Sequence, residues 1–418
     1  MNIYLIIILF SYLSVISFSY YLQFLNLRHL KKYGHIVPEE FKGYVDAELL
    51  KKTTDYTLEH TRFGFIESVF GNVLVILFFF GGLINIYNSW VLSFKMSFIL
   101  SGIIFFLFLS YAKTILSIPF DLYSTFRIEN KYGFNTMTGK LWVVDFLKSI
   151  LLSTILISIM VSAAFFLIKI RPDCWWFFVW LFFLLFSLFI MYISPYVIEP
   201  LFNKFTPIED KEMEDSIIDL MKKIGITISR IFKMDASKRS RHTNAYFAGI
   251  GRVKRIILYD TLLQIMGKDE ILSVLAHEAG HWKKKHILKR IVIIEAMSLI
   301  SLYISFRIIQ TGFLGRLFNI QTDTIFANLL ILGFIGGITF FPLTPVMSYL
   351  SRRHEKEADR FAVAITGNPG AMATSFIKLS KDNLSNLHPH PLYASFYYSH
   401  PPVVQRVREI KEEGNKKK

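Results

Sequence analysis

The string LAHEAGHW places His277 and His281 four residues apart, in a run of good helix formers that begins near Asp269 and Glu270. Positions i and i+4 share one helical face, so both imidazoles can reach a single ion at about 2.0–2.1 Å, with Glu278 beside them to take a proton from a metal-activated water. That is hydrolytic chemistry, and it calls for a third protein ligand and one open coordination position. The segment SRRHEKEADRFA offers the carboxylates. Glu355 and Asp359 are also four apart, so Glu355 can complete a His2Glu set while Asp359 accepts the free N–H of a ligand histidine and fixes its tautomer. On spacing alone His354 and Glu357 stay open as ligands, and Glu355 could instead pair with Arg352 or Lys356. The single cysteine, Cys174, excludes an internal disulfide framework and a cysteine-rich cage, which leaves histidine and carboxylate to hold any metal.

The elements that must position these residues are built for lipid. The chain has 418 residues, 53% of them hydrophobic and 41 of them Phe, with a mean hydropathy of +0.41. Seven stretches, near 4–26, 64–87, 96–120, 149–168, 175–198, 287–309 and 324–349, are apolar enough to cross a hydrocarbon layer that needs about 20 helical residues. The first has no basic flank or cleavage site before it and is followed by Arg28, Lys31 and Lys32, which reads as a retained span whose start faces outside. Alternating from there, 27–63, 121–148, 199–286 and 350–418 share one side and carry nearly all the Lys and Arg outside the spans, while 88–95, 169–174 and 310–323 form short loops opposite. Both zinc motifs fall on the basic side. The net charge of +15 therefore follows the positive-inside rule and anionic lipid, and nucleic acid is not expected as a partner.

Two segments can fold in water. In 203–286, Ile217, Ile218, Leu220, Met221 and Ile224 recur at helical spacing, and short strands are expected over Ile231–Met234, Asn244–Phe247 and Arg255–Tyr259, the last two as a hairpin about Gly249 and Gly251. The tail after 350 alternates helical pattern with Pro-containing loops. Inside the spans, Glu67, Asn72, Glu295 and Asn328 suit either a wet interior face or helix packing.

HEAGHW, RHEKEADRFA, TNAYFAGIG, PFDLYSTFRIENKYGFNTMT, EPLFNKFTPIED, KLSKDNL and YYSHPPVVQR together resemble the motifs of the type I CAAX prenyl proteases, the membrane zinc enzymes that process yeast a-factor and prelamin A. ENKYGFN and YYSHPP carry weight because they have no general catalytic meaning. The resemblance implies an all-α polytopic membrane protein whose seven transmembrane helices enclose a hydrated chamber, with a small α+β zinc metalloprotease domain containing a short β-sheet. It divides the chain into a five-span membrane domain (1–200), a first part of the protease domain (201–286), spans six and seven (287–350) and a second part of the protease domain (351–418).

It also implies one Zn2+ held by His277, His281 and Glu355, with Glu278 as general base and then acid and Asp359 behind the ligands. Asn244 and His400 would approach the substrate and its scissile carbonyl, although by themselves they read as a turn residue and a loop residue. Ala245, Tyr246 and Phe247 would form an edge on which an extended peptide adds as a strand. The implied partners are membrane lipid and a peptide, prenylated or otherwise hydrophobic, cut near its C-terminus. ENKYGFN departs from the common EEKHGFN, and Thr136 and Met137 replace an acid-rich cluster, which bears on substrate preference. The Phe-, Ile- and Lys-rich composition suits a bacterial inner-membrane member with a cytoplasmic catalytic domain, the endoplasmic reticulum being the membrane of a eukaryotic one. Two other readings stay open: a quality-control zinc protease of the bacterial heat-shock type, and a transporter or channel with a structural zinc.

Overall fold

The computed structural model describes residues 2–249 and 253–415. Gly251 of the expected hairpin turn and the last three lysines lie outside the described residues. In chain order the first elements are α1 (Ile3–Tyr33), α2 (Ala47–Phe79), α3 (Leu83–Ser93), α4 (Phe98–Tyr123), α5 (Gly139–Ile170) and α6 (Trp175–Ile193). After them come β1 (Phe205–Pro207), α7 (Lys211–Ile224), β2 (Thr227–Met234), β3 (Ala245–Ala248), β4 (Val253–Tyr259) and α8 (Lys268–Lys283). The remainder is α9 (His286–Gln310), α10 (Ile325–Phe340), α11 (Thr344–Thr366), α12 (Pro369–Asp382), α13 (Pro391–Tyr397) and α14 (Val403–Asn415).

Among the described residues seven helical segments are long and apolar enough to cross a membrane, so this is a multi-pass membrane protein. The spans are α1, α2, α4, α5, α6, α9 and α10; α4 and α6 continue through π-helical turns to Tyr132 and Phe202, and α10 continues through Pro342 and Pro345 into α11. Packing runs in a cycle: α1 on α2, α2 through α3 to α4, α4 on α5, α5 on α6, α6 on α9, α9 on α10, and α10 back on α1. Only 6–17% of each span's most apolar stretch is buried, which is too little for helices packed into a solid bundle and fits a ring around an interior space.

The expected second span at 64–87 is not one helix. It breaks after Phe79, where Gly82 adopts φ +81°, and the chain restarts as α3, which takes up most of the loop expected at 88–95. The hydropathy is continuous across the break, so only the Gly81–Gly82 pair marked it. The loop expected at 310–323 likewise contains a helical turn, Phe313–Leu317. Of the polar residues inside the spans, Asn72 accepts from the Tyr12 hydroxyl (2.8 Å) and donates to that of Tyr20 (2.7 Å), tying α2 to α1, while Asn328 donates to Asp323 at the head of its own helix.

The protease part folds around α8. The sheet order is β1-β2-β4-β3, with β2 and β4 parallel and the outer pairs antiparallel, so the expected hairpin forms and leaves β3 at an edge. β1 was not expected from sequence; Pro207 ends this strand on the opposite edge, where a missing N–H is tolerated. The apolar face of α7 is as its spacing predicts, with Ile217, Leu220, Met221 and Ile224 buried, and Asp210 accepts the Met213 N–H as its N-cap.

A Cβ at Gly82 would meet no atom within 4 Å, so only backbone strain opposes a side chain there. We expect Gly82→Ala to cost about 1–2 kcal/mol, the penalty of the left-handed conformation, read as a lower thermal midpoint of the detergent-solubilised protein with its helix content kept.

Candidate active site

Two helices from separate parts of the chain build the centre. α8 is started by Glu270, whose carboxylate reaches back to accept the Gly267 N–H at 2.8 Å, and it buries Ile271, Val274, Leu275, Ala276 and Ala279 in the core. Its partner, α11, is the continuation of the seventh span. They meet along small residues, Ala276, Ala279 and Gly280 on α8 and Ala358 and Ala362 on α11, the four alanines being fully buried. A Cβ at Gly280 would lie 3.1–3.3 Å from Phe361 and the Ala358 backbone, so glycine is what permits this approach.

The approach brings three donor atoms together. His277 Nε2 is 3.1 Å from His281 Nε2 and 3.3 Å from Glu355 Oε2, and His281 Nε2 is 3.3 Å from Glu355 Oε1. Tetrahedral ligands on bonds of 2.0–2.1 Å are separated by about 3.3 Å, so this buried His2Glu triangle fits a zinc-sized ion with one position open. His354 and Glu357 do not enter it. Arg352 and Lys356 are also engaged elsewhere, with the Ala394 and Tyr398 carbonyls and with Glu409, so neither pairs with Glu355, which meets the histidines and, at 3.4 Å, Arg406 Nη2.

Each histidine is held from behind by a different partner. His277 Nδ1 lies 2.8 Å from Asp359 Oδ1, and Arg406 grips that carboxylate with Nε at 2.9 Å and Nη2 at 2.6 Å. Burial disfavours a charged His277, but the hydrogen bonds to Asp359 and Glu355 outweigh it and raise its pKa to about 9. The position between the ligands thus attracts positive charge, for which a proton and a divalent cation compete. His281 Nδ1 lies 3.1 Å from Nδ1 of buried His286, whose Nε2 is 3.2 Å from Glu357 and whose ring stacks on His354 at 4.1 Å. Arg406 and His286 were missed by sequence reasoning. Arg406 stands inside YYSHPPVVQR and His286 five residues after His281, but nothing in their spacing points to the ligands.

His400 does reach the centre, with Nδ1 2.8 Å from Glu355 Oε2 and its side chain 60% exposed. It is delivered by α13, which α11 holds through Ser348 to the Phe396 carbonyl (2.9 Å) and Arg352 to the Tyr398 carbonyl (2.7 Å). A cavity of about 290 Å³ opens at the cluster, lined by His281, Glu355 and His400 together with Ile287, Ile293 and Met347 from the membrane ends of α9 and α11. Glu278 follows His277 on α8 and is partly exposed.

The strand Ala245–Phe247 lies along α8, with Ala245 in the same core as Ala276 and Ala279. Just before it, Asn244 is exposed. Its Oδ1 accepts the Ala245 N–H at 2.8 Å, and its amide N–H2 has no partner among the described residues. The motifs without catalytic meaning hold this strand. Glu129 of ENKYGFN contacts His242 Nε2 at 3.3 Å and accepts from Tyr56, and Phe134 stacks on the His242 ring at 4.1 Å. Asn383 of KLSKDNL accepts from Thr243 N, while Glu199 of EPLF accepts from the Tyr246 hydroxyl at 2.6 Å.

A membrane ring with a His2Glu centre at its mouth defines a class, the membrane metalloproteases, and the comparisons agree. Residues 26–204 match the family described as CAAX prenyl protease N-terminal, five membrane helices, and residues 207–414 match peptidase family M48. The chain is 33% identical to the CAAX prenyl protease 1 homolog of Arabidopsis thaliana, with 96% of this chain and 95% of that one covered. It is 32% identical to CAAX prenyl protease 1 of Saccharomyces cerevisiae, covering 98% and 96%. The crystal structure of S. mikatae Ste24p superposes with a TM-score of 0.90 at 28% identity, covering 98% of this chain and 99% of that one. The chain belongs to the CAAX prenyl protease family of M48 metalloproteases.

Two substitutions test the geometry. Gly280→Ala should push α11 away by tenths of an ångström and weaken metal binding with the fold intact. His286→Ala should leave His281 unoriented and cost about 10–100-fold in metal affinity, the size typical of such supporting partners, read by competition with a chromogenic chelator.

Proposed function

We propose that the chain is a zinc endopeptidase that cleaves hydrophobic membrane-associated peptides near their C-terminus, with prenylated C-a-a-X peptides as the favoured substrates. The observation that carries this reading is the edge strand β3 running beside the ligand helix and ending at an apolar cavity. That cavity, about 850 Å³, is lined by Phe183, Phe186, Ile190 and Leu302 of α6 and α9 and by Tyr246 and Phe247 of the strand, and it falls within the ~300–1,000 Å³ range of small-molecule sites. An extended peptide paired to β3 would lie along α8 with an apolar group received by the spans.

His277, His281 and Glu355 would hold the ion. Zinc there supplies Lewis acidity to the scissile carbonyl and lowers the pKa of a water molecule. Glu278 accepts the water's proton and returns it to the leaving amine nitrogen. His400, whose Nδ1 is anchored on Glu355, has Nε2 to offer the carbonyl oxygen as negative charge develops, and the Asn244 amide can donate to the peptide backbone. Asp359 fixes the His277 tautomer so that Nε2 faces the ion. The basic segments between spans support a cytoplasmic catalytic side, and a bacterial inner membrane suits the composition.

Cleavage of a farnesylated C-a-a-X peptide and its unlipidated twin tests the reading. Glu278→Gln should keep stoichiometric zinc and lose about 10²–10⁴-fold in kcat, whereas Glu355→Ala should lose the zinc itself. Preference for the lipidated peptide supports the substrate assignment. Equal neglect of both by a zinc-loaded enzyme sinks that assignment and turns the search to misfolded membrane proteins.

A further inference from the structure

Five cations line a cavity of about 700 Å³ where the start of α5 and the end of the fifth span meet the sheet: Lys148, Lys204, Lys238, Arg239 and Arg255. Two of them are neutralised or engaged. Arg239 forks onto Asp145 with Nε at 2.8 Å and Nη2 at 3.1 Å, and Lys148 donates to the Leu201 carbonyl at 2.8 Å. The other three have no carboxylate partner among the described residues. Arg255 is clamped in place, its guanidinium 4.4 Å from the Phe232 ring centre and 4.8 Å from that of Tyr196, with Nη1 donating to the Pro195 carbonyl at 3.0 Å. Those contacts fix the fork, and its remaining N–H donors have no partner among the described residues. Lys204 and Lys238 are exposed, and neither ammonium has a partner among the described residues. Asp235, the one carboxylate on the wall, is held by the Lys204 backbone N–H at 2.6 Å.

The cavity's place in the fold says what it faces. Val144 and Leu201 on its wall are exposed, and on α5 the exposed Leu147 and Leu151 continue the apolar surface into the span. Charge at the mouth and apolar surface leading away from it is the arrangement met at the depth of lipid headgroups. The cavity shares no lining residue with the one at the metal cluster and only Pro195 with the apolar cavity beside β3.

We propose that this cavity binds a phosphate group, presented by an anionic phospholipid headgroup or as free phosphate, with Arg255, Lys204 and Lys238 as its donors. A rigid guanidinium and two mobile ammonium groups match a tetrahedral oxyanion, and nothing on the wall beyond Asp235 opposes the charge.

The test titrates the full-length protein, in a neutral detergent, with short-chain phosphatidylglycerol, short-chain phosphatidylcholine and inorganic phosphate by calorimetry. The double variant Lys204→Glu/Lys238→Glu alters exposed side chains only, and an unchanged thermal midpoint and zinc content would verify its fold; Lys204→Gln/Lys238→Gln serves as the milder version. Phosphatidylglycerol is expected to bind at least tenfold tighter than phosphatidylcholine, whose choline cation offsets the phosphate, and the double variant is expected to lose at least tenfold. Inorganic phosphate binding as well as the lipid, with the same loss in the variant, would make free phosphate the occupant. The proposal is overturned if neither anion binds, or if the variants bind as tightly as the parent chain.

Discussion

The metal centre exists because two helices come unusually close. Helix axes pack 8–10 Å apart according to the side chains between them, and here that layer is Ala276, Ala279 and Gly280 against Ala358 and Ala362. An imidazole and a glutamate are short. With larger residues in the seam, Glu355 could not stay within 3.3 Å of both histidines, and the triangle that suits a zinc-sized ion would open. The same closeness excludes water from His277 and Glu355, which strengthens every hydrogen bond behind them.

The rest of the molecule serves that seam. α9 and the α10–α11 rod close the ring of spans; α11 carries Glu355 to the site, and α9 follows α8 at once and brings His286 behind His281. The strand beside α8 is held through side chains rather than by burial alone. Glu129 and Phe134, Glu199, and Asn383 come from three separate places in the chain and converge on His242, Thr243 and Tyr246. Motifs with no reactive group are thereby accounted for as the mount of an edge strand.

What could be read from sequence follows the range of each interaction. The histidine pair lies within one helical turn, and its i, i+4 spacing was enough to find it. The spans were legible because hydropathy sums over some twenty residues, but the break at Gly82 was not, since neighbouring helix and loop are equally apolar there. Glu355 was one of three carboxylate or imidazole candidates until a family resemblance singled it out, because which side chain of α11 faces α8 depends on packing across more than seventy residues. Arg406 and His286 act on the ligands from a distance in sequence or from an unmarked position, and no local pattern distinguishes them from solvated basic residues. β1 is three residues long and holds a proline, below what periodicity can detect.

His281 and Glu355 are separated by both crossings of the final helical pair, and His400 and Arg406 come later still. A ribosome emitting this chain therefore produces the HEAGH helix long before the residues that complete its centre. During synthesis the growing protein carries a pair of histidines and a glutamate but no hydrolytic machine, and it gains one only when the last hairpin has been inserted and the tail has folded back. A fragment that stops before the seventh helix lacks Glu355, His400 and Arg406 and so cannot assemble this cluster.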